Sequence, residues 1–131
     1  MRISAKSDYA VRAAIVIARA WPGARVTGEE ISAATSLPHS FLESILGDLG
    51  RAGLVHGRRG YRGGYVLTRP PEKINVADLL VAVDCPLLTR PGGWDASPIA
   101  PLWATVEIST HELLAGYSLA DLVSDTSDPS L

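Results

Sequence analysis

The chain has 131 residues, of which 47% are hydrophobic and 20% are charged, and this is the size and composition of one folded domain. Its formal net charge of −2 points to no particular class of partner. The single cysteine, Cys85, excludes an intramolecular disulfide and a metal site built from several thiolates of one chain. No signal-peptide layout is visible at the N-terminus, and the longest apolar stretch, Ala13 to Ala18, is too short to cross a bilayer, so we expect a cytoplasmic protein.

The charge is unevenly distributed along the chain. Residues 1–69 hold ten of the twelve Lys and Arg residues and only five of the fourteen acidic residues. A basic first part is typical of a surface that faces a polyanion, and the acidic second part then has another role. Chance asymmetry in a short chain is the alternative, so this interpretation needs support from motifs.

The first part of the chain predicts two consecutive helices. The first runs from its N-cap, Ser7, to Ala20, and its inner face follows helical spacing: Val11, Ala14, Ile15 and Ala18. Thr27 and Glu30 form a capping box that begins a short second helix.

A third helix and a hairpin follow. Pro38 opens the helix, which ends near Gly50 and carries one apolar stripe: Leu42, Ile45, Leu46 and Leu49. Short apolar runs at 54–56 and 65–67 predict two strands, and the segment between them is rich in Gly and Arg. We therefore expect a β-hairpin with a basic tip.

The remainder of the chain predicts a helix that Asn75 caps, then a loop at 86–98. A long helix is predicted over 99–116 and a last short turn over 119–123. The small, polar segment 124–131 is predicted to fray.

Two helices joined by a tight turn and followed by a glycine-rich hairpin predict a helix-turn-helix with a wing. The third helix presents small or polar groups on its outer side: His39, Ser40, Glu43, Ser44 and Gly47. Glu43 has the chemistry to accept a hydrogen bond from a cytosine amino group, and Ser40 to donate or accept one. The wing arginines suit phosphates or a narrow groove: Arg58, Arg59 and Arg62. The alternatives are a solvated helix position for Glu43 and an ordinary surface turn for the hairpin tip.

The expected fold class is mainly α with a small β-hairpin. A winged helix-turn-helix DNA-binding domain spans 1–84, with the wing at about 57–65. An effector-type loop spans 85–98, and a dimerisation helix with its terminal turn spans 99–123.

Several segments resemble the IscR-type (Rrf) family of winged-helix transcriptional regulators, and together they extend over nearly the whole chain. They are the N-terminal run 2–10, the third helix and its exit at 40–55, the wing run 59–67 and the ending 119–122. The resemblance implies a dimer in which Ser40 and Glu43 read the major groove while Arg59 enters the minor groove. Phe41 stands where the family often has Tyr, and Arg62 stands where Gly is usual. The expected DNA-binding residues are Arg2, Lys6, Tyr9, His39, Ser40, Phe41, Glu43, Ser44, Arg58, Arg59, Gly60 and Arg62.

The sequence departs from the family at the sensor. Many members carry three cysteines in the loop before the long helix, and these bind an iron–sulfur cluster. This loop has none, and Cys85 does not match a ligand position. Asp8 matches a carboxylate ligand of some relatives, but Arg12 occupies the position of their histidine. We therefore expect no iron–sulfur cluster and no metal site.

Trp94 and Trp103 flank the loop and define a candidate effector region, for a small molecule or a protein. Packing of both rings at the subunit interface or under the loop is the alternative. On the long helix, the expected dimerisation residues are Leu102, Trp103, Val106, Leu113 and Leu114. A purely intrachain core helix is the alternative for that stripe.

The leading hypothesis is a dimeric, sequence-specific repressor that binds a palindromic operator in double-stranded DNA. A winged-helix module that regulates through a partner protein is the alternative, because a fold does not determine function. No catalytic or phosphate-binding pattern is visible, so an enzyme is not expected.

Overall fold

The structure is a computed structural model that describes residues 3–58, 63–83 and 97–125. In chain order its elements are α1 Ala5–Arg19, α2 Gly28–Thr35, α3 His39–Arg51, β1 Val55–Arg58, β2 Gly64–Leu67, a 3₁₀ turn Pro71–Lys73, α4 Val76–Ala82, α5 Ala100–Ala115 and α6 Leu119–Asp125. This order confirms the predicted fold class, which is mainly helical with one antiparallel hairpin.

Helix α1 begins earlier than expected, and Ser7 as its N-cap was wrong. Ser4 has extended backbone angles, and its side chain accepts a hydrogen bond from the Ser7 amide at 3.1 Å. Ser7 lies inside the first turn with its side chain buried. The buried face of α1 is built largely from small residues, which allow close packing against the other helices: Ala10, Ala13, Ala14 and Ala18.

The helix-turn-helix is held by local hydrogen bonds. The predicted capping box is confirmed, with the Thr27 hydroxyl accepting from the Glu30 amide at 3.1 Å. Helix α2 ends at Ser36, which has a left-handed φ of 59°, and the Ser32 hydroxyl donates to the Leu37 carbonyl at 2.7 Å. The predicted apolar stripe of α3 is also confirmed, because all of its members are buried: Leu42, Ile45, Leu46 and Leu49.

The base of the wing is tied to the segment that precedes α2. Strands β1 and β2 pair antiparallel, and Val26 adds backbone hydrogen bonds to Tyr65 of 2.7 and 3.0 Å. Gly64 has a φ of +127°, and a Cβ there would lie 2.8 Å from the Val26 carbonyl oxygen. Position 64 therefore requires glycine. The predicted tip, residues 59–62, lies outside the described residues.

The C-terminal helices pack against the domain unequally. Helix α4 begins with an Asn75–Asp78 capping box, and α6 packs against α1. The Val76 amide donates to the Tyr117 carbonyl at 2.9 Å, and the Leu119 amide donates to the Ile74 carbonyl at 2.8 Å. Helix α5 contacts α4 but has no buried residue along its length. Its apolar side chains thus remain accessible in the single chain.

Candidate nucleic-acid interface

Helix α3 presents a polar outer side opposite its buried stripe. His39, Ser40, Glu43 and Ser44 are exposed, as expected for a helix that faces a ligand. The His39 Nε2 atom lies 3.2 Å from Glu43 Oε1, and 65% of the Glu43 side chain is exposed. Glu43 therefore keeps acceptor capacity beyond its contact with His39.

An aromatic contact connects α1 to the first turn of α3. The Tyr9 and Phe41 rings meet edge to face, with centroids 5.5 Å apart and an interplanar angle of 90°. Tyr9 is half-buried, whereas 37% of Phe41 remains exposed. Such a pair stabilises by about 0.5–1.5 kcal/mol beyond its buried area. It restrains the end of α3 that was predicted to enter DNA.

The charge of Lys6, another predicted DNA-binding residue, is matched within the protein. Its ammonium lies 3.0 Å from Asp48 Oδ2, while the Arg51 guanidinium donates to Asp48 Oδ1. Hydrogen bonds from Lys6 and then from Arg51 hold the pKa of Asp48 below its ordinary value of 3.8. The three side chains carry one net positive charge beside the outer side of α3.

The wing is described only at its base. Arg58 ends β1, pairs with Gly64 in the strand register and is exposed. Four other predicted DNA-binding residues lie outside the described residues: Arg2, Arg59, Gly60 and Arg62. The structure thus brings the predicted DNA-binding residues of α1 and α3 together. Arg58 lies at the end of β1, beside β2.

The outer side of α3 predicted from the sequence did not include Arg51. Ser40, Ser44, Gly47 and Arg51 recur at helical spacing on one side of α3, so the signal was present in the sequence. The prediction of the outer side stopped at Gly47, and the predicted helix ended near Gly50, whereas α3 extends to Arg51.

The predicted dimerisation residues lie on α5 with different exposure. Leu102 and Leu113 are exposed, whereas Trp103, Val106 and Leu114 are half-buried. Trp94 and the rest of the loop that precedes Ser97 lie outside the described residues. Within the described ranges, no helix combines the length and the hydropathy that a membrane crossing requires.

A pair of helices joined by a tight turn, a polar outer face on the second helix and a hairpin that carries an arginine define a winged helix-turn-helix regulator. The profile of the Rrf2 family, described as an iron-dependent transcriptional regulator, matches residues 3–125. The chain belongs to the Rrf2 family, and the resemblance to IscR-type regulators is confirmed. Members of this family are transcriptional regulators, which are not enzymes.

Similar proteins support the same assignment. The chain is 35% identical over 130 residues to the HTH-type regulator MT1325 of Mycobacterium tuberculosis (strain CDC 1551 / Oshkosh), covering 93% of this chain and 81% of the relative. The structure of T. potens IscR has a TM-score of 0.79 at 31% identity, over 95% of this chain and 88% of that one. The structure of CymR, the global cysteine regulator of B. subtilis, has a TM-score of 0.82 at 28% identity, over 97% of this chain and 99% of that one.

Two observations on the described residues concern metal binding. Among them, no group of three His, Cys, Asp or Glu side chains is placed to hold a metal ion. Asp8, which matches a carboxylate ligand of some relatives, accepts from Arg12 Nε at 2.7 Å. A guanidinium therefore occupies the space beside the carboxylate, and a cation there would be repelled by it.

Proposed function

We propose that this chain is a homodimeric repressor that binds a palindromic operator in double-stranded DNA and works without an iron–sulfur cluster. The observation that carries the proposal is the polar, exposed outer side of α3. The buried stripe of α3 anchors the helix in the core, and Tyr9 and Lys6 of α1 contact it through Phe41 and Asp48. Ser40 and Glu43 read base edges, and the arginines of the wing contact the minor groove or phosphates. The protein acts in the cytoplasm, together with the DNA.

The exposed apolar side chains of α5 support the proposal of a dimer. Leu113 is 64% exposed and Leu102 is 55% exposed, although both are large and apolar. Helix α5 buries none of its residues in its own chain, so packing against a second apolar surface would bury side chains that are otherwise in contact with water. Two-fold pairing through α5 presents two recognition helices to two half-sites, which is what a palindromic operator requires. A dimer bound across a promoter represses by excluding polymerase.

The side chains that could ligate iron support the cluster-free state. The chain supplies one thiol, Cys85, and the Asp8 carboxylate is already matched by Arg12. Cluster ligation needs several thiolates or their substitutes. The signal then reaches the protein as a small molecule or a protein at the loop 85–98, around Trp94 and Trp103.

Selection of bound duplexes from a random pool tests the DNA-binding proposal. We expect an inverted repeat, a dimer by light scattering, and affinity that falls steeply with salt. Binding without sequence preference, or to a partner protein alone, would favour the protein-interaction module instead. No described feature favours that module over the regulator.

Matched DNA titrations of anaerobic and air-exposed protein, with iron analysis, test the cluster-free state. We expect equal affinities, no stoichiometric iron and little change in Cys85→Ser. Trp94→Ala should disturb the response to the effector more than it disturbs DNA binding alone. Stoichiometric iron together with air-sensitive binding would overturn this part of the proposal.

A further inference from the structure

The last turn of α3 carries an arginine that lies along the outer side of the helix. An ideal Cβ at Gly47 would lie 3.3 Å from Arg51 Nη1, 3.6 Å from Nη2 and 3.8 Å from Cζ. The whole guanidinium is therefore folded back over Gly47, one turn before the residue that carries it. Because glycine has no side chain, the group can approach the helix surface closely.

Asp48 holds the guanidinium in this place while leaving donors available. Arg51 Nη2 donates to Asp48 Oδ1, and 73% of the Arg51 side chain is exposed. A guanidinium has five N–H donors, so this contact leaves most of them free to meet an anion. The second oxygen of Asp48 is occupied by Lys6 at 3.0 Å, so the carboxylate does not present a free negative charge to that anion.

The position of the guanidinium along α3 indicates what it meets. Ser40 and Gly47 are separated by about 10 Å along the axis, at about 1.5 Å per residue. The major groove is about 12 Å wide. If Ser40 lies at base edges, a group that far along the same side of the helix lies at the strand that borders the groove.

We propose that Arg51, folded over Gly47 and held by Asp48, binds a backbone phosphate at the edge of the major groove that α3 enters. This inference rests on the proposed DNA-binding function. It adds a contact that sets the register of α3 on the duplex and carries no base preference.

Fluorescence-anisotropy titrations over a series of salt concentrations test this contact, with the full chain and a duplex selected by the wild type. The variants are Arg51→Gln, Arg51→Lys and the control Arg12→Gln. Arg12 matches Arg51 because it is also a helix arginine that pairs with an aspartate, but it lies on α1 and pairs with Asp8. Thermal melting of each variant checks the fold.

For Arg51→Gln we expect about tenfold weaker binding and a salt slope reduced by about 1 per protomer, equally on every tested duplex. Arg51→Lys should keep the slope because it keeps the charge, and Arg12→Gln should match the wild type. Wild-type affinity and slope in Arg51→Gln would overturn the inference while the DNA-binding function stands. A change of preference at one base pair with an unchanged slope would also overturn it. Absence of sequence-specific binding by the wild type would instead refute the proposed function itself.

Discussion

The ammonium of Lys6 lies 3.0 Å from the Asp48 carboxylate and thereby connects the first turn of α1 to the last turns of α3. The contact joins residues that are distant in sequence. Together with the packing of α1 against α3, it restrains the tilt of α3 relative to α1, the helix that carries Tyr9. Five of the twelve predicted DNA-binding residues lie on α3, so their placement depends on that tilt.

Replacement of Asp48 by Asn should destabilise the fold in a pH-dependent way. Hydrogen bonds from Lys6 and Arg51 lower the pKa of Asp48 from 3.8, so the folded state holds the charged carboxylate more strongly than the unfolded chain does. This stabilisation is complete above about pH 4 to 5 and is lost as the pH falls through the lowered pKa. We expect a loss of about 0.5–1 kcal/mol in the free energy of unfolding at neutral pH, as for a partly exposed ion pair.

Urea unfolding of the wild type and Asp48→Asn at neutral and acidic pH measures this effect. Glu29→Gln is the control, because Glu29 is an exposed carboxylate in the first turn of α2. A difference between wild type and Asp48→Asn that persists unchanged at the lowest pH would contradict the ion-pair origin.

Glu43→Ala should relax base preference without unfolding the protein. Glu43 is exposed on α3, away from the buried stripe, so its removal leaves the core unchanged. Loss of one base contact should remove about 1–3 kcal/mol of discrimination at one position of the half-site. Titration of single-base operator variants measures this, with Glu29→Ala as the control. An unchanged preference across the whole set would show that Glu43 is only a solvated helix residue.

Arg59→Ala should weaken operator binding more than Arg19→Ala. Arg59 belongs to the Gly- and Arg-rich run of the wing in the sequence, whereas Arg19 lies in the last turn of α1. Loss of a minor-groove or phosphate contact should cost about 1–3 kcal/mol. Titrations of both variants at one salt concentration provide the comparison, and equal affinities would contradict this role of Arg59.

Leu113→Glu should separate the dimer, whereas Ile108→Glu should not. Both residues are apolar and exposed on α5, at 64% for Leu113 and 59% for Ile108. They are turned about 140° from each other around the helix, and Leu113 shares its side with Leu102. A buried carboxylate at the two-fold contact is strongly unfavourable. Light scattering measures the mass of each variant, and the reverse pattern would place the contact on the other side of α5.

Local patterns in the sequence predicted most of the fold. The Thr27–Glu30 capping box and the stripe from Leu42 to Leu49 depend on short spacings, which sequence shows directly. The start of α1 was misjudged because Ser4 and Ser7 both satisfy the residue preference of an N-cap. Only the backbone angles decide between two such serines.

The candidate site was predicted less completely, for a physical reason. Exposure of Ser40 and Glu43 follows from the helical period, so both were found. The contact between Lys6 and Asp48 depends on how α1 and α3 cross, which no local pattern encodes. The fold of Arg51 over Gly47 depends on a side-chain conformation that Asp48 selects.

The hydrogen bonds between Val26 and Tyr65 set the distance between the hairpin and the helix-turn-helix. Val26 directly precedes Thr27, which caps α2, so the base of the wing and the start of the helix-turn-helix share one short piece of backbone. The base of the wing and the start of α2 consequently keep a set separation. If the wing and α3 contact the duplex as proposed, we expect this separation to fit a B-form duplex and not an A-form RNA duplex of the same sequence, whose major groove is deep and narrow.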